Sequence, residues 1–167
     1  MRLMGERLYD DVSLADVARA ADVTVQTVLR RFKSKEGLSE AATVLGVEEV
    51  RRTRWIAPEG ELVAVMQGLI THYEEWADRS LRFLAQEQRT PAMRKVTDAG
   101  RALHHEWVDH VFEPWLLARS GAARGRTRAQ LIAATDVYVW KILRRDLGLD
   151  AKATELTMRG LVAAVIA

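Results

Sequence analysis

At 167 residues, 49% of them hydrophobic and 29% charged, the chain has room for one large or two small domains and is too apolar for disorder. The absence of cysteine excludes disulfides and thiolate metal sites. A net charge of +2 is too mild to argue for nucleic acid by itself, so the placement of the cations carries the information.

The N-terminus, MRLMGERLYDD, lacks the apolar region of a signal peptide. The longest apolar run, 161-LVAAVIA-167, falls far short of the roughly 20 residues needed to span a bilayer. The expectation is a soluble cytoplasmic protein with no membrane partner.

Every long segment reads as helix. Ser13 is placed as an N-cap with Asp16 three residues on, a weak capping box, followed by Leu14, Val17, Ala18 and Ala21 at helical spacing. Asp22 then stands where a tight turn needs positive φ. Thr24 caps a second short helix. On its wheel Val25, Val28, Leu29 and Phe32 share one arc, and Gln26, Thr27, Arg30 and Arg31 the other. Ser34 caps a third helix that runs to about Ile56, where Ala57-Pro58-Glu59-Gly60 breaks it.

From Glu61 the helical pattern resumes with Leu62, Val65, Met66, Leu69, Ile70, Tyr73 and Trp76, and continues through Leu81 and Leu84. Pro91 suits a first helical turn. The long helix after it is expected to bend near Pro114, and 119-RSGAARGRTR-128 reads as a solvated loop. Two helices close the chain, about 127–146 and 151–167, with Gly148 ending the first and Asp150 capping the second. The predicted fold is all-α: a three-helix helix-turn-helix unit over 1–57, then a helical ligand-binding and dimerisation domain over 58–167.

Two short helices about a tight turn, the second with outward cations, describe a helix-turn-helix. Its physics suits double-stranded DNA. With the apolar arc packed inward, Gln26, Thr27 and Arg30 are free to enter a major groove, where Gln can pair with adenine and Arg with guanine. Thr24 opens that helix, and Arg31, Lys33 and Lys35 are placed as phosphate contacts. Cationic helix faces are often only solvated surface, and the fold also serves protein interaction.

The segment 13-SLADVARAADVTVQTVLRRFKSKEGL-38 resembles the DNA-binding signature of the tetracycline-repressor (TetR) family. Val17, Ala18, Ala21, Val23, Thr27, Phe32, Ser34, Lys35, Glu36 and Leu38 fit its pattern, with Thr24 in place of serine. There are three departures. Asp22 stands for a glycine. Leu29 stands for a tyrosine that touches the DNA backbone. The segment before Ser13 is short for the family's first helix. The last two lower the expected affinity. The resemblance implies a homodimer on a palindromic operator, regulated by a small-molecule effector of unknown identity.

In the second domain, Met66, Tyr73, Trp76, Phe83, His104, Trp107 and Trp140 are candidates for lining a pocket for a small, mostly apolar compound, although each could equally fill a core. A dimer interface is expected from Leu131, Ala134, Thr135, Tyr138 and Ile142 on one closing helix and Leu156, Leu161 and Val165 on the other. In 104-HHEWVDH-110, Glu106 and His110 share a helix face, but a third metal ligand would have to come from elsewhere, so no metal is expected. There is no phosphate loop, nucleophile elbow or triad, hence no catalytic residue, no cofactor and no enzyme. The competing reading is a small-molecule-binding or protein-interaction protein whose DNA binding is weak or lost.

Overall fold

The computed structural model describes Arg2–Trp55 and Glu61–Ala167. All regular structure among the described residues is helical, as the sequence predicts. The break at Ala57-Pro58-Glu59-Gly60, and the domain boundary expected at residue 57, lie outside the described residues. Contacts divide the chain into two compact units, Met1–Glu49 with Arg79–Gly100, and Val50–Asp78 with Arg101–Ala167.

The first unit contains α1 (Arg2–Glu6), α2 (Leu14–Ala20) and α3 (Val25–Phe32). It also takes the start of α4 (Lys35–Arg54), the end of α5 (Leu62–Leu84) and the start of α6 (Pro91–Val111). The capping box on α2 forms: Ser13 Oγ accepts the Asp16 N–H at 3.1 Å, and Asp16 accepts the Ser13 N–H at 3.0 Å. The helix ends in a Schellman motif, with Val23 N–H on Ala18 O at 3.0 Å and Asp22 N–H on Arg19 O at 3.3 Å. Asp22 takes the left-handed position at φ 52°, where glycine would carry no Cβ penalty.

Thr24 caps α3 by accepting the Thr27 N–H at 3.2 Å. The apolar arc of α3 is narrower than its spacing suggests. Val28 is buried and Leu29 and Phe32 are half-buried, but Val25, on the first turn, is 37% exposed. The helix stops at Lys33, whose φ of 70° puts it at the centre of a γ-turn closed by Ser34 N–H on Phe32 O at 2.8 Å. Gly37 lies against that turn: a Cβ there would stand 2.2 Å from Phe32 O, so no larger residue fits without moving the end of α3.

Tyr9 ties the unit together. Its side chain is buried with Phe83 and Met93, against which Leu38, Ala92 and Val96 pack. Its N–H donates to Gln86 Oε1 at 2.7 Å, and its carbonyl accepts from Lys35 Nζ. The Lys35 ammonium also sits 4.2 Å from the centre of the Tyr9 ring. Burial, with Glu36 beside it, pushes the Tyr9 hydroxyl up to about 12, so it stays a neutral donor toward Glu36.

The second unit takes the last turn of α4, most of α5 and the rest of α6. To these it adds α7 (Glu113–Leu117), α8 (Gly121–Ala134), α9 (Val137–Lys141), a π-helical turn over Ile142–Asp146, and α10 (Ala151–Ile166). Pro114 marks a restart instead of a bend: α6 ends at Val111 and α7 carries the proline in its first turn, where the missing N–H costs nothing. The loop expected over 119–128 is mostly helix. Thr127, Leu131 and Thr135 form a buried stripe at i, i+4 and i+8, which outweighs Gly121 and Gly125.

The single helix expected over 127–146 is instead interrupted at Thr135-Asp136. There Asp136 caps a new start by accepting the Tyr138 N–H at 2.8 Å. Gly148 at φ 71° and Asp150, which accepts the Ala153 N–H at 2.7 Å, form the last connection as predicted. No described helix is long and apolar enough to cross a membrane.

The strain at Asp22 gives a direct test. Asp22→Gly is expected to raise the unfolding free energy by up to about 1 kcal/mol in urea titrations, because the αL penalty disappears. A loss of stability would show that the aspartate side chain contributes more than its backbone costs.

Candidate functional site

Helix α3 presents a polar face opposite its buried one. Thr24, Gln26, Arg30, Arg31 and Lys33 are exposed, and Thr27 is half-buried. The Gln26 amide and the Arg30 guanidinium make no hydrogen bond, ion pair or ring contact with other described side chains, so four residues apart they stand as an uncommitted pair one helical turn long. The Thr24 and Thr27 hydroxyls bond each other at 3.0 Å, which fixes the first turn. The Arg31 guanidinium lies 5.6 Å from the Phe32 ring, and Lys33 Nζ donates to Arg30 O at 3.0 Å. Lys35 differs from the rest: it turns inward to Tyr9 and serves as a structural cation.

Six of the seven pocket candidates fall in the second unit. Met66, Tyr73, His104, Trp107 and Trp140 are buried there. Half-buried Trp76 stacks on His72 at 6.0 Å. Tyr73 lies 6.1 Å from Trp140, and His104 stacks on Trp107 at 5.8 Å. Phe83 is not among them, because it belongs to the Tyr9 core of the first unit.

The sequence gives no warning of what these rings surround. Arg54, in the last turn of α4, is buried, with its guanidinium 3.9 Å from the centre of the Trp107 ring and 5.9 Å from that of Tyr73. Its Nη2 donates to His104 Nδ1 at 2.8 Å. Because arginine can only donate, His104 must carry its proton on Nε2, which faces Ile132 O at 3.3 Å. Tyr73 completes the frame by donating its hydroxyl to Thr135 O at 2.7 Å. In the run 51-RRTR-54 the arginine reads as solvated; the overlooked signal is that Arg54 falls four residues after Val50 and seven after Val47, on the apolar stripe of the helix.

Burial, together with the Arg54 charge, holds His104 and His72 down to about 3, so both are neutral at physiological pH. Burial raises Tyr73 well above the usual phenol range and lowers Arg54 to about 10, which still leaves the guanidinium charged.

Of the residues assigned to the dimer interface, Leu131 and Thr135 face the protomer's own interior and have no exposed surface. Tyr138, Ile142, Leu156 and Leu161 are exposed, and Ala134 and Val165 are half-buried. Glu106 and His110 are engaged elsewhere: Glu106 forms a two-bond ion pair with Arg51 at 2.5 and 2.7 Å, and His110 stacks on Trp55 at 6.4 Å.

The fold and the outward face of α3 are those of a helix-turn-helix with a free polar face. Residues 1–42 match the sequence model of the bacterial regulatory proteins of the tetR family, and this match supports a DNA-binding transcriptional regulator. The crystal structure of a candidate transcriptional regulator from Pseudomonas aeruginosa PAO1 is similar in fold, with a TM-score of 0.70 at 16% identity over 98% of this chain and 84% of that one. No curated protein matches the chain. The family points to regulation in place of catalysis.

The two neutral histidines make stability depend on pH. Their folded values lie below the ordinary 6.5, so from there down to about 3 the unfolded chain binds the extra protons. Stability is therefore complete above that ordinary value and falls with acidification through this window. The groups acting on them are Arg54 and each other, with His105 also near His104. Thermal melts from about pH 7.5 to about pH 4.5 are expected to drop steeply for the wild type and less for His104→Gln, which keeps a donor and an acceptor but does not titrate. Equal slopes would show that His104 is protonated in the folded protein.

Proposed function

We propose that the chain is a homodimeric cytoplasmic repressor. It holds a palindromic operator through α3 and leaves it when a small, mostly apolar effector binds the domain over 58–167. The carrying observation is the pair Gln26 and Arg30, exposed and uncommitted on the face of α3 opposite buried Val28, within the segment that matches the family. Those side chains, with Thr27 between them, suit base edges in the major groove, while Thr24, Arg31 and Lys33 suit the flanking phosphates.

A dimer is needed because one reading helix spans too few base pairs to be selective, and a two-fold pair reads half-sites about 34–36 Å apart or multiples of that. The exposed Tyr138, Ile142, Leu156 and Leu161 supply apolar surface for it. Helix α4 starts three residues after α3 ends and carries Arg54 in its last turn, which makes it the route by which an effector would act on the reading helices. A second reading, an effector-binding or interaction protein with weak DNA binding, is favoured by Leu29 in place of the family's tyrosine and by Lys35 turned toward Tyr9.

Gel shifts on the DNA upstream of the chain's own gene separate the two. The repressor reading expects a retarded band whose affinity falls steeply between about 50 and about 200 mM salt. Arg30→Ala should cost about 1–3 kcal/mol, concentrated at one base position. No shift at low salt would favour the second reading, and a uniform loss across sequences would move Arg30 to the phosphates. For the dimer, Leu161→Glu should turn the sedimenting species from dimer to monomer while the circular dichroism stays helical. A dimer that survives both Leu161→Glu and Leu156→Glu would place the interface elsewhere.

A further inference from the structure

The second unit pairs several of its exposed arginines with carboxylates, while its buried one meets none among the described residues. Arg51 meets Glu106, Arg128 meets Asp109 at 2.6 Å, Arg144 meets Glu74 at 2.9 Å and Arg145 meets Asp78 at 2.9 Å. Arg54 is 6% exposed, yet none of its contacts among the described residues is with a carboxylate. Asp136, whose charge reaches it, is occupied in capping α9. Desolvation makes the opposite arrangement the usual one, because a buried cation without a counter-ion is strongly disfavoured. A position over the Trp107 face, the Tyr73 hydroxyl nearby and one hydrogen bond to a neutral histidine offset only part of that cost.

The surroundings also leave donors unused. Among the described residues Arg54 Nε has no hydrogen-bond partner, and neither has Trp107 Nε1, on the ring the guanidinium covers. His72 Nδ1, within reach of the Arg54 charge, is likewise unpartnered. A guanidinium fork with an indole N–H nearby is a donor set for a planar anion. The charge count then selects its valence. Both nearby histidines are neutral, so Arg54 is the single cation of the cluster; with Asp136 near but held at the α9 cap, it has room for at most one further negative charge and not the two of a phosphate monoester. Met66, Tyr73, Trp107 and Trp140 make the rest of the environment apolar.

We propose that Arg54 is the anchor for an anionic group of the effector, and that the effector is a small monocarboxylate with an aromatic or aliphatic body. This rests on the reading of the chain as an effector-controlled repressor, and it adds a charged group to the mostly apolar compound inferred there. Arg54 belongs to the same helix whose first residue, Lys35, is fixed to Tyr9, so an anion held there acts directly on α4.

The test uses the full chain and three pairs of probes: benzoate, phenylacetate and octanoate, each against its neutral amide. At least one acid should raise the melting temperature saturably while its amide at equal concentration does not. Arg54→Met and Arg54→Gln should weaken that acid's binding by about tenfold or more, as expected for loss of a charge-assisted pair. Both variants should remain helical and melt no lower than the wild type without ligand, which an arginine of purely structural value would not allow. The proposal is overturned if no acid shifts the melt, if the amides shift it equally, or if the neutral variants keep the response. Should both variants fail to fold, the comparison of acid with amide on the wild type still decides. Gel shifts with the same probes separate this site from the reading beneath it. An acid that binds through Arg54 without altering DNA affinity keeps the site and removes effector release. Release by an amide with no acid binding does the reverse.

Discussion

The position of the reading helix depends on how α4 begins, and that beginning is fixed at Tyr9. The tyrosine's carbonyl and ring both hold the Lys35 ammonium, its hydroxyl reaches Glu36, and its N–H is taken by buried Gln86. Only two residues, Lys33 and Ser34, separate α3 from α4, and they are bent into a γ-turn with Gly37 pressed against it. With so short a joint, fixing α4 fixes the direction of α3. The polar face of α3 is then turned out by geometry, and Val28 alone needs deep burial. An exposed Val25 is tolerable for the same reason: the joint at the C-terminal end orients the helix, so its first turn need not be anchored.

The parts of this arrangement that are local in sequence were legible. The caps at Ser13, Thr24 and Asp150, the positive φ at Asp22 and the stop at Gly148 each follow from one residue's own chemistry, and each stands where the spacing puts it. What periodicity could not supply was long-range choice. The glycines and arginines of 119–128 look like loop until the burial of Thr127 and Leu131 recruits them into α8. Leu131 and Thr135 share a face with apparent interface residues, and only the packed unit tells which part of the arc turns inward. Lys35 was legible as a cation but not as Tyr9's partner, because twenty-six residues separate them.

Arg54 is the sharpest case. A basic run at the end of a helix is usually surface, since the macrodipole favours cations there and the side chains extend into water. Two of the run's arginines behave so, and Arg51 finds Glu106 at the surface. The third lies on the inner stripe of the same helix, and its long apolar stem can follow the aromatic cluster while its head stays charged. Nothing in residue type distinguishes the three, and their angular position on α4 does. Burial, with the same cation beside them, keeps His72 and His104 neutral, and the cation's donor fixes the tautomer of His104.

A buried charge with no carboxylate bonded to it among the described residues costs stability in the free protein, and that cost bears on how a switch could work. A ligand shifts an equilibrium only by the difference in its affinity for the two states. An apolar compound filling a helical core gains similar contacts in two packings that differ by small helix movements, so its difference is small. A carboxylate facing a desolvated guanidinium gains strongly in the packing that aligns the two and little in one that separates them, because charge-assisted bonds fall off steeply with angle and distance. Allosteric coupling of about 1–3 kcal/mol is within what one such pair can differ by between two arrangements. The position of Arg54 on the last turn of α4, with the first turn of that helix fixed beside the reading helix, would put that difference on a helix that runs from the first unit into the second.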